Sequence, residues 1–127
     1  MKITELRPML WTEDLHKTVA FYTETLGFTP DVVKHDWGWA SLSLDDVSLM
    51  FTVPLKFDSP TEHPAPEKIS FSGSLYFTTE DVDAMWEKLE DITTICYGIE
   101  NFDHGMREFA IYDNNGYMLQ FGQEISE

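Results

Sequence analysis

Glu108, Tyr112 and Gln120 are the side chains whose types and spacing best suit work on a small molecule. They fall in the run 106–121, which reads as two strands joined by a tight turn at Asp113-Asn114-Asn115-Gly116. Asn and Gly tolerate the positive φ that a short hairpin turn needs. Strand side chains alternate between faces with a period of two. Phe109, Ile111, Leu119 and Phe121 therefore share an apolar face that a helix or second layer must cover. Glu108, Ala110, Tyr112, Met118 and Gln120 share the opposite, mixed face, which can line a pocket. A carboxylate there can accept a proton or hold a cation, and a phenol can donate to it.

The other reactive residue types are scattered. Cys96 is the single cysteine, so an internal disulfide framework is excluded and a reducing, cytoplasmic setting is expected. It lies in the apolar run 92–97 with no flanking His, and reads as a strand thiol rather than a nucleophile. His16, His35, His63 and His104 share no local spacing and read as surface residues. His35 beside Asp36, and His104 beside Asp103, have a second reading at the mouth of a pocket. No nucleophile, base and orienting group fall together.

These residues must be positioned by a single small domain. The net charge is -15 and no basic cluster exists, which excludes nucleic acid and an anionic membrane surface as partners. The same charge favours solubility and can attract cationic ligands. No apolar run approaches the roughly 20 residues of a membrane span, and the N-terminal residues lack a signal-peptide core.

The pattern predicts a strand over 3–11, with Leu6, Pro8 and Leu10 on one face and Glu5, Arg7, Met9 and Trp11 on the other. Thr12-Glu13-Asp14 supplies helix-start chemistry for a helix over 15–26, with Leu15, Val19, Tyr22 and Leu26 as its apolar stripe and Gly27 as its stop. Strands follow over 28–33, 37–44 and 47–53, with Trp37 and Trp39 on one face of the second of these. Residues 54–70 hold four prolines and no clear period, and read as a connecting loop. A strand over 72–78, a helix over 82–89 opened by Thr79-Glu80-Asp81, a strand over 93–99 and the hairpin complete the chain.

The second half repeats the first. Thr12-Glu13-Asp14-Leu15 returns 67 residues later as Thr79-Glu80-Asp81-Val82, and Leu49-Met50-Phe51 returns 70 residues later as Leu119-Gln120-Phe121. Each half reads strand, capped helix, then three strands. One such βαβββ unit leaves a sheet face uncovered, so two are needed.

These modules, the segment Asp14-Leu15-His16-Lys17-Thr18-Val19-Ala20-Phe21-Tyr22 with Leu26-Gly27-Phe28, and Arg107-Glu108-Phe109 with Asp113-Asn114-Asn115-Gly116, resemble the vicinal oxygen chelate superfamily. That group includes glyoxalase I, bleomycin-resistance proteins and extradiol dioxygenases. The resemblance implies an α+β fold in which two βαβββ modules form a curled, eight-stranded mixed sheet around a cleft. It implies one domain, with module one over about 1–53, the connecting loop over about 54–70 and module two over about 71–127. It also implies a homodimer.

Metal-dependent members place His or Glu at four cleft positions, which match Arg7, Met50, Ser74 and Gln120 here. None of these is a His, carboxylate or thiolate, the donors that such divalent cations need, so neither metal nor other cofactor is expected. The matched cleft face collects Arg7, Met9, Trp11, Met50, Ser74, Tyr76, Glu108, Tyr112, Met118 and Gln120 as ligand-binding candidates. Arg7 is expected either to pair with Glu108 or to hold a ligand carboxylate. Apolar and aromatic walls with a few polar groups describe a small-molecule site, and an acidic, aromatic one suits a flat cation. The expected function is metal-free sequestration of a cationic or aromatic ligand such as an antibiotic, as in bleomycin-resistance proteins. Two other readings stand beside it: a lyase, isomerase or dioxygenase relative working with Glu108 and Tyr112, and an interaction module whose cleft is filled by its own side chains.

Overall fold

The computed structural model describes residues 1–54 and 72–125. The connection expected at 54–70, with His63, lies outside the described residues from residue 55 on. The chain divides into two compact units, Met1–Ser70 and Phe71–Glu127.

The first unit runs β1 (Met9–Trp11), α1 (Leu15–Ala20), a π-helical turn (Phe21–Thr25), β2 (Thr29–Lys34), β3 (Trp39–Leu44) and β4 (Val47–Thr52). The second runs β5 (Ser74–Thr78), α2 (Val82–Leu89), β6 (Thr94–Asn101), β7 (Met106–Tyr112) and β8 (Met118–Glu124). Each unit therefore has the expected βαβββ order. The strands form two four-stranded mixed sheets, ordered β1-β4-β3-β2 and β5-β8-β7-β6. In each, the first strand runs parallel to the last, and the remaining pairs are antiparallel.

Both helices start by the same chemistry, which explains the Thr-Glu-Asp repeat. Asp14 accepts the Lys17 backbone N–H at 3.0 Å, and Asp81 accepts that of Ala84 at 3.0 Å. The Thr two residues earlier accepts the backbone N–H of each Asp, Thr12 at 3.2 Å and Thr79 at 3.3 Å. Such caps satisfy N–H groups that the first helical turn leaves without partners, at about 1 kcal/mol each. In the second unit the Gln123 side chain adds a brace. It accepts from Val82 N at 3.0 Å and donates to Glu80 O at 2.6 Å, tying β8 to the start of α2. Arg107 on β7 holds Asp83 of the same helix turn at 2.9 Å.

Period-two alternation builds the core of each unit. In the second, Phe109, Ile111 and Leu119 are fully buried and Phe121 nearly so, as expected. Phe121 stacks on Phe77 and Phe109, while Trp86 of α2 meets Phe109 edge-on. In the first, Leu10, Phe51 and Ala40 form one buried cross-strand row beneath Tyr22 and Phe28.

Five local expectations are corrected. β1 begins at Met9, not Ile3, and Leu6 is exposed. Pro8 has no N–H to extend the ladder, though its carbonyl still accepts from Met50 N at 2.8 Å. The first helix is α-helical only to Ala20, and a π turn carries it to Leu26. Thr18 rather than Val19 takes the buried place on its face, where its hydroxyl hydrogen-bonds to that of Thr12 at 2.7 Å. Trp37 lies outside β3, exposed in the turn with Lys34 over its ring, so it does not share a strand face with Trp39.

The last correction concerns the β7–β8 turn. Gly116 alone of its residues takes positive φ, at 89°. The turn is closed instead by Asp113, which is buried and accepts from Asn115 N at 2.8 Å and Tyr117 N at 2.9 Å. Asp113→Ala is expected to lower unfolding stability by about 1–3 kcal/mol, read as a lower urea midpoint at unchanged m-value.

Candidate functional site

Cross-strand register defines the mixed face of the second unit. Ser74, Met118 and Tyr112 form one row. Tyr76, Gln120, Ala110 and Tyr97 form the next, and Thr78, Gly122 and Glu108 the third. Residues directly opposite in a sheet share a face, so these side chains project together.

Glu108 is the focus. It is only 4% exposed, yet its carboxylate is well supplied with donors. Tyr76 donates to Oε2 at 2.5 Å, Tyr97 donates to Oε1 at 2.8 Å, and His104 Nε2 lies 3.3 Å from Oε2. A second tier stands behind Tyr97: Gln120 Nε2 donates to the Tyr97 hydroxyl at 2.8 Å, and Ser74 donates to Gln120 Oε1 at 2.5 Å. Ser74, Tyr76, Glu108 and Gln120, all expected at the site, are thus joined in one network.

Two small residues make that network reachable. Tyr76 on β5 must cross β8 to touch Glu108 on β7, and the residue between them is Gly122. A Cβ there would stand 2.7 Å from Tyr76 Cζ and 3.2 Å from Cε1, and closer still to the hydroxyl. Gln120 on β8 likewise crosses β7 to reach Tyr97 on β6, and the residue between them is Ala110.

Tyr97 and His104 complete the site, and sequence patterning did not place them there. Ile95 pairs with Ile111, but Tyr97 pairs with Ala110, so Cys96 is an extra residue in β6. This β-bulge turns Tyr97 from the apolar face to the Glu108 face. His104 enters from the loop before β7. Its sequence signal was only its nearness to Asp103, and its partner is Glu108 instead. Aromatic contacts continue outward from Tyr97 to Phe102 and from Phe102 to His104.

Tyr112 and Met118 lie one row away on the same face. The Tyr112 hydroxyl accepts from the Cys96 thiol at 3.2 Å, so the phenols that reach Glu108 are Tyr76 and Tyr97, not Tyr112. The contact with Cys96 also raises the Tyr112 pKa. The remaining candidates belong to the first unit. Met9 opposes Met50 in register and Met50 opposes Ser41, while Trp11, Thr52 and Trp39 form the neighbouring row. Arg7 donates to Ser41 Oγ at 3.2 Å and lies 3.7 Å from Glu5. These are its polar partners within the first unit.

Electrostatics make Glu108 a fixed anion. Burial pushes its carboxyl pKa up, but hydrogen bonds from Tyr76, Tyr97 and His104, with the charge of His104, outweigh burial and hold it below the usual range. The phenols pay in the opposite direction. Tyr76 is raised to about 12 by burial and then by its bond to the Glu108 carboxylate. Tyr97 is also raised to about 12, by burial first; the Gln120 bond opposes the rise and Glu108 adds to it.

The four positions matched to metal ligands do not suit a divalent cation. Ser74 and Gln120 are spent on each other, Arg7 has no lone pair to offer, and Met50 is a soft thioether. Among the described residues, no group of three or more His, Cys, Asp or Glu side chains could hold a metal ion. No helix among them is long and apolar enough to cross a membrane.

The Glu108 carboxyl binds its proton less tightly folded than unfolded. Its stabilising contribution is therefore complete above the unfolded value of about 4.3 and is lost as pH falls through that value toward the lower folded one. The stability difference between wild type and Glu108→Gln should shrink as pH is lowered below about 5. Chemical denaturation across a pH series measures it, and parallel pH profiles would contradict the assignment.

Residues 6–121 match the family model described as Glyoxalase/Bleomycin resistance protein/Dioxygenase superfamily. Bleomycin resistance proteins from Geobacillus stearothermophilus and Staphylococcus aureus are each 25% identical to the chain, covering 93% of it and 95% of their own length. A glyoxalase/bleomycin resistance protein/dioxygenase from Nocardioides shares the fold at a TM-score of 0.77 and 20% identity, over 99% of this chain and 86% of that one. A lactoylglutathione lyase from Agrobacterium tumefaciens does so at 0.72 and 18%, over 97% and 95%. With the family match spanning nearly all of its length, and with two βαβββ units of the same order, the chain belongs to the glyoxalase/bleomycin resistance protein/dioxygenase superfamily.

Proposed function

We propose that this protein binds a flat, cationic organic molecule without a metal and acts by sequestering it. The observation that carries this reading is the buried Glu108 carboxylate, held ionised by three donors and flanked by Tyr76 and Tyr97, with Phe102 against Tyr97. An anion among aromatic rings recognises a cation by charge and by the ring faces together. Similarity to bleomycin resistance proteins supports the same reading.

Binding fits the site better than turnover. A carboxyl held below its usual range is a weak base, and two of its bonds come from phenols too weakly acidic, at about 12, to release protons near neutrality. Neither Tyr112 nor Cys96 reaches Glu108; each is engaged with the other.

Benzamidine and its neutral isostere benzamide separate charge from shape. The cation should raise the melting temperature of the wild type, benzamide should not, and Glu108→Gln should abolish the difference. Stabilisation by both compounds alike would sink the cation reading. Dialysis against a chelator should leave the melting temperature unchanged, and one tightly bound divalent ion per purified subunit would sink the metal-free one.

The reading includes a homodimer, in keeping with the superfamily resemblance. Sedimentation velocity should give twice the chain mass at micromolar concentration, and a monomer there would remove dimerisation from the proposal.

A further inference from the structure

The two oxygens of Glu108 are held in different ways. Oε1 receives Tyr97, and Tyr97 is braced from behind by Gln120, which is braced by Ser74. Oε2 receives Tyr76 and His104, and among the described residues no hydrogen bond of this kind braces either from behind. Tyr76 is 43% exposed and lies on β5, the edge strand of its sheet. The His104 side chain is 57% exposed, and its contact is the longest of the three at 3.3 Å. Tyr76 reaches Oε2 only because Gly122 leaves a groove for its ring.

We propose that Tyr76 is a displaceable gate: in the free protein it lies in the Gly122 groove and occupies Glu108 Oε2, and the cationic ligand takes that oxygen by swinging the phenol out. This rests on the binding reading above and adds the ligand's chemistry. The entering group must outcompete the Tyr76 O–H at that oxygen beside His104, so it carries an N–H donor and a positive charge, as an amidinium, guanidinium or primary ammonium does. Tyr97 stays in place and fixes the carboxylate plane. Gly122 sets specificity by keeping the gate shut against weaker, neutral donors: a neutral amide replaces the Tyr76 bond with nothing stronger, whereas a cation gains a charge-assisted bond.

Titration calorimetry with benzamidine and benzamide tests this on the wild type, Tyr76→Phe, Tyr97→Phe and Glu108→Gln. Tyr76→Phe retains the ring and removes only the competing donor, so it should bind benzamidine about tenfold or more tighter than wild type. Its affinity for benzamide should rise as well, since the same competitor is gone, but should stay below that for benzamidine. Tyr97→Phe should show no such gain, because it loosens the braced oxygen rather than freeing the exchangeable one. Gly122→Ala crowds the phenol out of its groove and should act in the same direction as Tyr76→Phe. Suppose benzamidine is preferred in a Glu108-dependent way, but Tyr76→Phe binds it no tighter than wild type, or Tyr97→Phe gains equally. The gate is then overturned and the binding reading stands. If neither wild type nor Tyr76→Phe prefers benzamidine over benzamide, the binding reading falls and the gate falls with it.

Discussion

An ionised carboxylate cannot sit at 4% exposure without donors, and that requirement shapes the second unit. Removing such a charge from water costs several kcal/mol even after the surroundings relax. A hydrogen bond to a charged group returns about 1.5–3 kcal/mol. One phenol would not offset the loss, whereas two phenols and an imidazole can. Three donors need three separate approaches to one side chain, and they come from β5, from β6 and from the loop before β7. Neighbouring strands alone cannot supply them, because β5 is two strands away from β7. The small residues Gly122 and Ala110 follow from this geometry: one lets Tyr76 lie across β8, the other lets Gln120 reach across β7 to steady Tyr97.

The regular part of this arrangement was legible in the amino-acid sequence. Alternation along 106–121 put Glu108 and Gln120 on one face and the four core residues on the other, because a strand's period leaves no choice once one face is buried. The Thr-Glu-Asp repeat was legible too, since a cap acts within a few residues. Departures from regular structure were not. Tyr97 changes faces through one extra residue at Cys96, and nothing in the composition of that run marks a bulge. His104 depends on a loop path that no period describes. Trp37 looked like strand because Trp39 follows it at a spacing of two, yet the turn closes by Trp37 N to Lys34 O and Gly38 N to His35 O before the strand begins. The short β1 reflects Pro8, whose missing donor was visible but whose effect on the preceding residues depended on pairing.

Comparing the two units position by position shows why, among the described residues, such a network is built in the second unit and not in the first. Register and the repeat place Met9 where the second unit has Tyr76, Met50 where it has Gln120, and Ser41 where it has Ala110. Thr52 stands in place of Gly122, and Trp39 in place of Glu108. A β-branched residue fills the groove that a bridging side chain would need, and the carboxylate position carries an indole. The first unit thus presents thioethers and indoles on its mixed face, with Arg7 held by Ser41 and Glu5 beside them. The second presents an anion with its donors. Both faces rest on the same core rows and the same helix caps. Divergence between the halves therefore left the βαβββ order intact: the second unit has a residue small enough at the crossing point, an acid at the position beyond it, and donors brought to that acid by β5, by the bulge in β6 and by the loop before β7.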